Sequence, residues 1–192
     1  MSNGLPEWLA SGSVIFHPVV LGTGRVFDRQ VKSYLAWGNT HHGCDMTAIH
    51  KDLMKLYSQR ILALAAGIPH IGRLEAPQGS AKKRSPLCGS TVTVDVTLED
   101  GKIKDFAQDV KACALGQSSA SVLGAHAIGR TREEIETGRD QLRRMIKEDG
   151  PTPEPPFAEL EVLRPARDYK NRHASIMLAW EATLAAMDEA AG

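Results

Sequence analysis

An α+β fold, with a small antiparallel sheet and helices packed on one of its faces, is predicted by three features of the chain. The segment TVTVDVTL at 91–98 alternates apolar and polar side chains without a break, the period of a strand with one buried face. Asp100-Gly101 follows at once and tolerates the positive φ angles of a tight hairpin turn, so a second strand should return beside the first. Apolar residues recur at helical spacing before this hairpin and again after it, which brackets the sheet with helices.

Taken in order, residues 1–50 scatter Gly, Asn, Thr and His without a sustained period and are expected to form an N-terminal extension, with residues 51–192 as the domain. Met46 and Met54 stand just ahead of the first strong pattern. Part of the extension is therefore a candidate for upstream translation, which mass spectrometry of the native N-terminus decides. From Asp52, Leu53, Leu56, Tyr57, Ile61 and Leu64 keep helical spacing until Gly67 and Pro69 stop it. The segment HIGRLEAPQGSAKKRSP reads as loop by composition. In the strand that follows, Val92, Val94, Val96 and Leu98 face the core and Thr91, Thr93, Asp95 and Thr97 face away. The return strand over 103–111 places Phe106 and Val110 on one face and Asp105 and Asp109 on the other, and a bulge near Lys104 restores its phase.

After Cys113 the chain turns helical up to Gly129. Thr131 and Glu134 make a capping box for the next helix, whose inward positions Ile135, Leu142, Met145 and Ile146 run until Gly150-Pro151. A connector, PTPEPPF, leads to AELEVLRPARDYK, for which the pattern specifies no secondary structure. A last helix from about Asn171 turns Ile176, Met177, Trp180 and Leu184 inward.

Composition excludes several classes of function. The 23 Lys and Arg balance the 23 Asp and Glu, and no block of one sign occurs, so a groove that neutralises nucleic-acid phosphates is not expected. No apolar run approaches the ~20 residues of a membrane span, and the stretch VIFHPVVLG lacks the flanks of a leader peptide. A cytoplasmic protein is expected. Three cysteines without regular spacing do not make a disulfide framework and leave each thiol free for metal or sulfur chemistry.

Cys88, in SPLCGS, precedes the first strand of the hairpin, and Cys113, in KACALGQSSAS, follows the second. The hairpin sets the start of one strand beside the end of the other, so the two sulfurs should meet at one end of the sheet. Gly89 allows close backbone approach there. Cys113 sits at a helix mouth, where unpaired amides and the positive dipole end favour thiolate, and Lys111 adds a nearby cation. His173, in the first turn of the last helix, could point at the pair as a third group. A disulfide between Cys88 and Cys113 is the rival reading for the thiols, and capping or surface exposure the rival for His173. Ser118, Ser119 and Ser121 have no placed acid or histidine to activate them, and read as close-packing residues. Adjacent histidines diverge, so NTHHGCD, with His41, His42 and Cys44, is not read as a site.

These segments carry a resemblance. LYSQRIL, CGS, DGKIKDF, KACALGQSSASVL and RHASIMLAW, spread over about two-thirds of the chain, resemble the iron–sulfur scaffold family of IscU, SufU and the N-terminal domain of NifU. The extra helical stretch between Cys113 and Ala174 is similar to that of the SufU branch, and the proline-rich chaperone-recognition motif of the IscU branch has no counterpart ahead of His173.

The resemblance implies a scaffold that carries its cluster, or zinc in its place, on three cysteines with help from an aspartate and sometimes a histidine. Cys88 and Cys113 match the first two cysteines and His173 the histidine before the third. Ser90 stands where the family has aspartate, and Ala174 where it has the third cysteine. Two thiolates and one imidazole leave an open site for metals that want four donors.

The expected function is a non-catalytic scaffold or carrier that binds iron or a transient cluster through Cys88 and Cys113, with His173 assisting. Its expected partners are a cysteine desulfurase, apo-protein acceptors and a second copy of the chain as a homodimer. The alternatives are a zinc-dependent persulfide acceptor working with a desulfurase, with Cys113 as the acceptor, and a degenerate member acting as an interaction module.

Overall fold

The computed structural model describes residues 58–86 and 88–192. The expected extension, NTHHGCD, and the helical positions Leu53, Leu56 and Tyr57 lie outside the described residues. Helix α1, Gln59–Ala66, opens on Ser58, whose hydroxyl accepts the Ile61 N–H at 3.4 Å. It closes on Gly67, whose N–H returns to the carbonyls of Ala63 and Leu64, and Ile61 is its fully buried residue. The chain then runs along the outer edge of the sheet, where the Gln108 N–H donates to the His70 carbonyl and the Gly72 N–H to the Gln108 carbonyl.

The sheet has three antiparallel strands in the order β1 (Gly79–Arg84), β2 (Thr91–Glu99) and β3 (Lys102–Lys111). Asp100 and Gly101 turn the β2–β3 hairpin with φ of 53° and 73°, a conformation in which both central residues sit in the left-handed region. Thr97 pairs with Asp105 and Leu98 with Ile103, so Lys104 is the extra residue of a bulge, at the position the broken alternation predicts.

Two expectations need correction. The segment assigned to loop contains β1, which the alternation rule misses because its polar residues point outward and only Gly79 is buried. Its ordering comes from backbone pairing to β2, Gly79 opposite Val96 through Arg84 opposite Thr91. The second correction concerns the polar face of β2: Thr93 and Asp95 are buried as well. Arg73 grips the Asp95 carboxylate through Nε at 2.6 Å and Nη2 at 3.0 Å, and the Leu74 N–H adds a third bond at 3.0 Å. A buried carboxylate needs such partners to remain charged. Burial pushes the carboxyl up, but hydrogen bonds from Arg73, Ser80 and the Leu74 N–H, together with the Arg73 charge, outweigh it and hold the carboxyl below its ordinary range.

The valine face of β2 joins one core with Phe106, Leu115, Leu123, Ile176 and Trp180. Four helical segments follow the sheet: α2 (Ala114–Ala127), α3 (Arg132–Lys147), a 3₁₀ helix (Ala158–Asp168) and α4 (Lys170–Ala191). The 3₁₀ helix accounts for the segment whose pattern was uninformative. The capping box of α3 is present: the Thr131 hydroxyl accepts the Glu134 N–H at 3.3 Å, and the Glu134 carboxylate accepts the Thr131 N–H at 2.8 Å. Trp180 is fully buried, edge-on to Phe157, with its indole N–H donated to Ser119 Oγ at 3.0 Å. Among the described residues, no helix is long and apolar enough to cross a membrane.

Gly79 is where β1 meets α4. A Cβ there would collide with the Ala186 carbonyl and approach the Ala190 nitrogen to 2.7 Å, both backbone atoms that cannot swing aside. Gly79→Val is expected to cost about 3 kcal/mol. Thermal unfolding followed by circular dichroism should show this as a midpoint lowered by roughly 5–10 °C.

Candidate functional site

The site forms where the hairpin strands end. Thr91 pairs with Lys111 as the last rung, so the residues just outside it, Ser90 and Ala112, are carried to the same end of the sheet. Ahead of β2 the chain folds into a turn, with the Gly89 N–H donated to the Ser85 carbonyl and the Ser85 N–H to the Ser90 carbonyl. Gly89 has φ of 69°, which lets this turn present Cys88 inward between two serines. On the other strand, Cys113 caps α2, and its carbonyl accepts the Gln117 N–H at 2.9 Å.

A third element completes the cluster. At Gly116 a Cβ would stand 2.6 Å from Ser175 Oγ and 2.9 Å from the Ser175 carbonyl, so the missing side chain lets the first turns of α2 and α4 touch. The lack of bulk in KACALGQSSAS thereby acquires a purpose. Ser118 and Ser119 are spent on packing: Ser118 Oγ lies 2.7 Å from both the Ile61 and Ala114 carbonyls, and Ser119 receives the Trp180 indole.

The contact between helix mouths links the two thiols through hydroxyls. As a thiol, Cys88 donates to Ser85 Oγ at 3.2 Å, and Ser90 Oγ lies 3.1 Å from the same sulfur. Ser175 Oγ donates to Ser90 Oγ at 3.2 Å and lies 3.4 Å from Cys113 Sγ. Sulfur, hydroxyl, hydroxyl and sulfur form one continuous chain. Both cysteines are free thiols and half-buried, whereas Ser85, Ser90 and Ser175 are buried.

This arrangement favours charge on Cys88. Burial pushes its thiol up, but the hydroxyls of Ser85 and Ser90, the Ser90 backbone N–H and the Ser175 hydroxyl together outweigh it and bring the thiol down to about 7. The sequence pointed to Cys113 as the charge-favoured thiol, with Lys111 assisting. In the structure Lys111 is exposed and paired with Asp109 at 3.3 Å, and the hydroxyl cradle surrounds Cys88 instead.

His173 lies elsewhere in the fold. Its Nε2 faces the carbonyls of Ala166 and Arg167 at 3.0 and 3.1 Å, so that nitrogen carries the hydrogen and Nδ1 is the ring atom left for a ligand. Residues two apart on a helix diverge by about 200°, so His173 leaves α4 on the side away from Ser175. The structure thus brings Cys88 and Cys113 into one cluster and does not bring His173 to them. Among the described residues, no group of three or more Cys, His, Asp or Glu side chains is placed to hold a metal ion. Sequence reasoning missed Ser85 and Ser175. The serines flanking Cys88 in SPLCGS were a usable signal for Ser85, but only the fold reveals Ser175.

No protein-family model matches the chain. The iron–sulfur cluster assembly scaffold protein IscU of Thermotoga maritima is 25% identical over 126 residues, covering 66% of this chain and 88% of that one. The crystal structure of a SufU from Fervidobacterium islandicum, 21% identical, superposes with a TM-score of 0.64 over 70% of this chain and 98% of that one, and shares the fold. The N-terminal part of a nitrogen-fixing NifU-like protein from Brucella abortus is 44% identical, with a TM-score of 0.71 over 73% of this chain and 97% of that one. With its three-stranded sheet and thiol pair at the hairpin's end, the chain belongs to the IscU, SufU and NifU-like family of iron–sulfur cluster assembly scaffold proteins.

Proposed function

We propose that this chain is a scaffold or carrier in iron–sulfur cluster assembly that receives iron or a transferable cluster on Cys88 and Cys113. The observation that carries this reading is the hydroxyl chain joining the two sulfurs through Ser90 and Ser175. A thiolate is the metal ligand, and Cys88 is poised to be one near neutral pH. When cargo arrives, Cys113 must also release its proton to solvent, after which the Ser175 hydroxyl, 3.4 Å away, turns to donate to that sulfur. The hydroxyls then remain as hydrogen-bond donors to thiolate sulfur, an outer shell that tunes how firmly the cargo is held.

Among the described residues the thiol cluster supplies two of the four donors that a tetrahedral iron or zinc ion takes, so the cargo has further ligands to find. Incomplete ligation suits delivery, since an incoming acceptor has only two protein bonds to replace. A cysteine desulfurase as sulfur source, apo-proteins as acceptors, and a second copy of the chain as a co-ligand are the partners this chemistry calls for. His173, if recruited, serves through Nδ1. The second reading, a sulfur acceptor with zinc in place of iron, has one observation in its favour: the hydroxyl cradle brings the Cys88 thiol down to about 7, so that near neutral pH it is available as a thiolate nucleophile.

Anaerobic reconstitution with iron and sulfide tests the first reading. Bound iron and acid-labile sulfide are expected together, and protein that takes up neither rules it out. Intact-mass analysis after incubation with a desulfurase tests the second, for which a single sulfur adduct on Cys88 without iron is the expected product.

A further inference from the structure

The sheet has two edges, and the chain treats them differently. Along β3 the outward backbone groups are met in two places: Gln108 donates to the His70 carbonyl and accepts the Gly72 N–H, and Ile103 donates to the Arg130 carbonyl and accepts the Gly129 N–H. Strand β1 has cover only at its start. The Ser85 N–H donates to the Ser90 carbonyl, so in the unbroken register of β1 the backbone groups of Lys83 and Ala81 face β2, while those of Arg84, Lys82 and Ser80 face away from it. At Ser80 the outward N–H is met by the Glu189 carboxylate of α4 at 3.1 Å. Among the described residues nothing bonds the outward groups of Lys82 and Arg84, and Lys82, Lys83 and Arg84 are all exposed.

The open stretch is also charged. These three adjacent cations make no ion pair among the described residues, in a chain whose formal net charge is zero. Lys82 and Arg84 share the outer face of the sheet with Ser80, and Lys83 takes the other face. Such an edge discriminates among the strands that could join it. A second copy of β1 would set cation against cation, which is how lysines guard an edge against self-association. An acidic strand meets attraction at the same positions. Three cations are too few to track a nucleic-acid backbone, which has no ladder of N–H and C=O groups to offer in return. Arg84 leads directly into Ser85, whose hydroxyl accepts from Cys88, so the open edge runs up to the thiol cluster.

We propose that the edge of β1 at Lys82 and Arg84 is a docking strip for an acidic, extended segment of a partner protein, which adds to the sheet as a further strand and brings the partner to the thiol end. Its main-chain groups pair with those of Lys82 and Arg84, and its carboxylates answer the two side chains on the outer face. The purpose of this placement rests on the carrier reading above, whereas strand addition itself does not.

The probe is a peptide of alternating glutamate and valine, blocked at both ends, added to the full chain and followed by amide hydrogen exchange with NMR. The expected signature alternates. At saturation the Lys82 and Arg84 amides slow by about tenfold, the scale of one hydrogen bond gained, while the Lys83 amide, already turned to β2, is unchanged. Lys82→Glu and Arg84→Glu should each weaken binding by about tenfold without shifting the thermal midpoint. The same peptide N-methylated throughout, which keeps its charge and loses the ladder, should not bind. Absence of binding, protection that does not alternate, equal binding by the N-methylated peptide or by single-stranded oligothymidylate, or indifference to both charge reversals overturns the proposal and leaves the carrier reading standing. Failure of the native chain to take up iron and sulfide, with the alternating protection intact, overturns the carrier reading instead.

Discussion

Replacing both Cys88 and Cys113 by alanine is expected to abolish iron and sulfide uptake while leaving the fold intact. The two sulfurs are the only soft donors that the described residues bring to one place, and a hydroxyl is a poor substitute for a soft metal. Losing an outer-shell partner of a metal ligand typically costs about 10–100-fold in affinity, so losing a ligand outright should leave each single variant with less than about a tenth of the cargo. The fold should tolerate the change because both thiols are half-buried and the three serines can turn their hydroxyls to one another. Thermal unfolding measured alongside metal content separates loss of a ligand from loss of structure. A double variant that binds iron and sulfide as the native protein does would mean that the cargo sits elsewhere.

The second large effect concerns pH. Because the Cys88 thiol titrates at about 7, its thiolate, and hence its reactivity, grows as pH rises through neutrality. Alkylation of Cys88 by iodoacetamide, followed peptide by peptide, should reach half its limiting rate near that pH. In the Ser85→Ala, Ser90→Ala double variant the two strongest opponents of burial are gone, and the midpoint should move upward. A thiol returned to its ordinary value of about 8.5 would be about 3% thiolate at pH 7, against about one half in the native protein. The rate at neutral pH should therefore fall by more than about tenfold, with the rate at high pH little changed. Ser175→Ala should move the midpoint less, since the Ser175 hydroxyl is the smallest of the contributors that lower the Cys88 thiol. A midpoint that stays in place in the double variant would contradict the hydroxyl account of Cys88.

The hairpin was legible because its information is local. The alternation in β2, the left-handed residues Asp100 and Gly101, and the out-of-phase Lys104 each lie within a few residues of the feature they specify. The same holds for the Thr131–Glu134 box. Strand β1 was not legible, because GSAKKR owes its conformation to pairing with β2 and its close packing to a glycine under α4, and neither leaves an alternating pattern. Asp95 misled for a related reason: a charged residue in an alternating strand reads as solvent-facing until Arg73, far off in sequence, is placed against it.

At the site, the meeting of Cys88 and Cys113 followed from hairpin geometry alone. The charge favoured on Cys88 did not: dipole and lysine arguments addressed Cys113, whereas the hydroxyls of Ser85, Ser90 and Ser175, which outweigh burial and bring the Cys88 thiol down to about 7, meet only in the fold. Ser175 reaches the cluster only because Gly116 lets two helices touch. His173 sits on the expected helix turn, yet helical phase and the carbonyls of Ala166 and Arg167 turn its ring away from the sulfurs.

That Cys88 and Cys113 hold the cargo jointly is tested most directly by protection. Protein reconstituted without oxygen and protein left metal-free are each treated briefly with iodoacetamide, and modification is read at both cysteines by mass spectrometry. Both sulfurs should be shielded to the same extent in the loaded protein and open in the metal-free one. Shielding of one alone, or of neither while iron and sulfide remain bound, would contradict a cargo held between them.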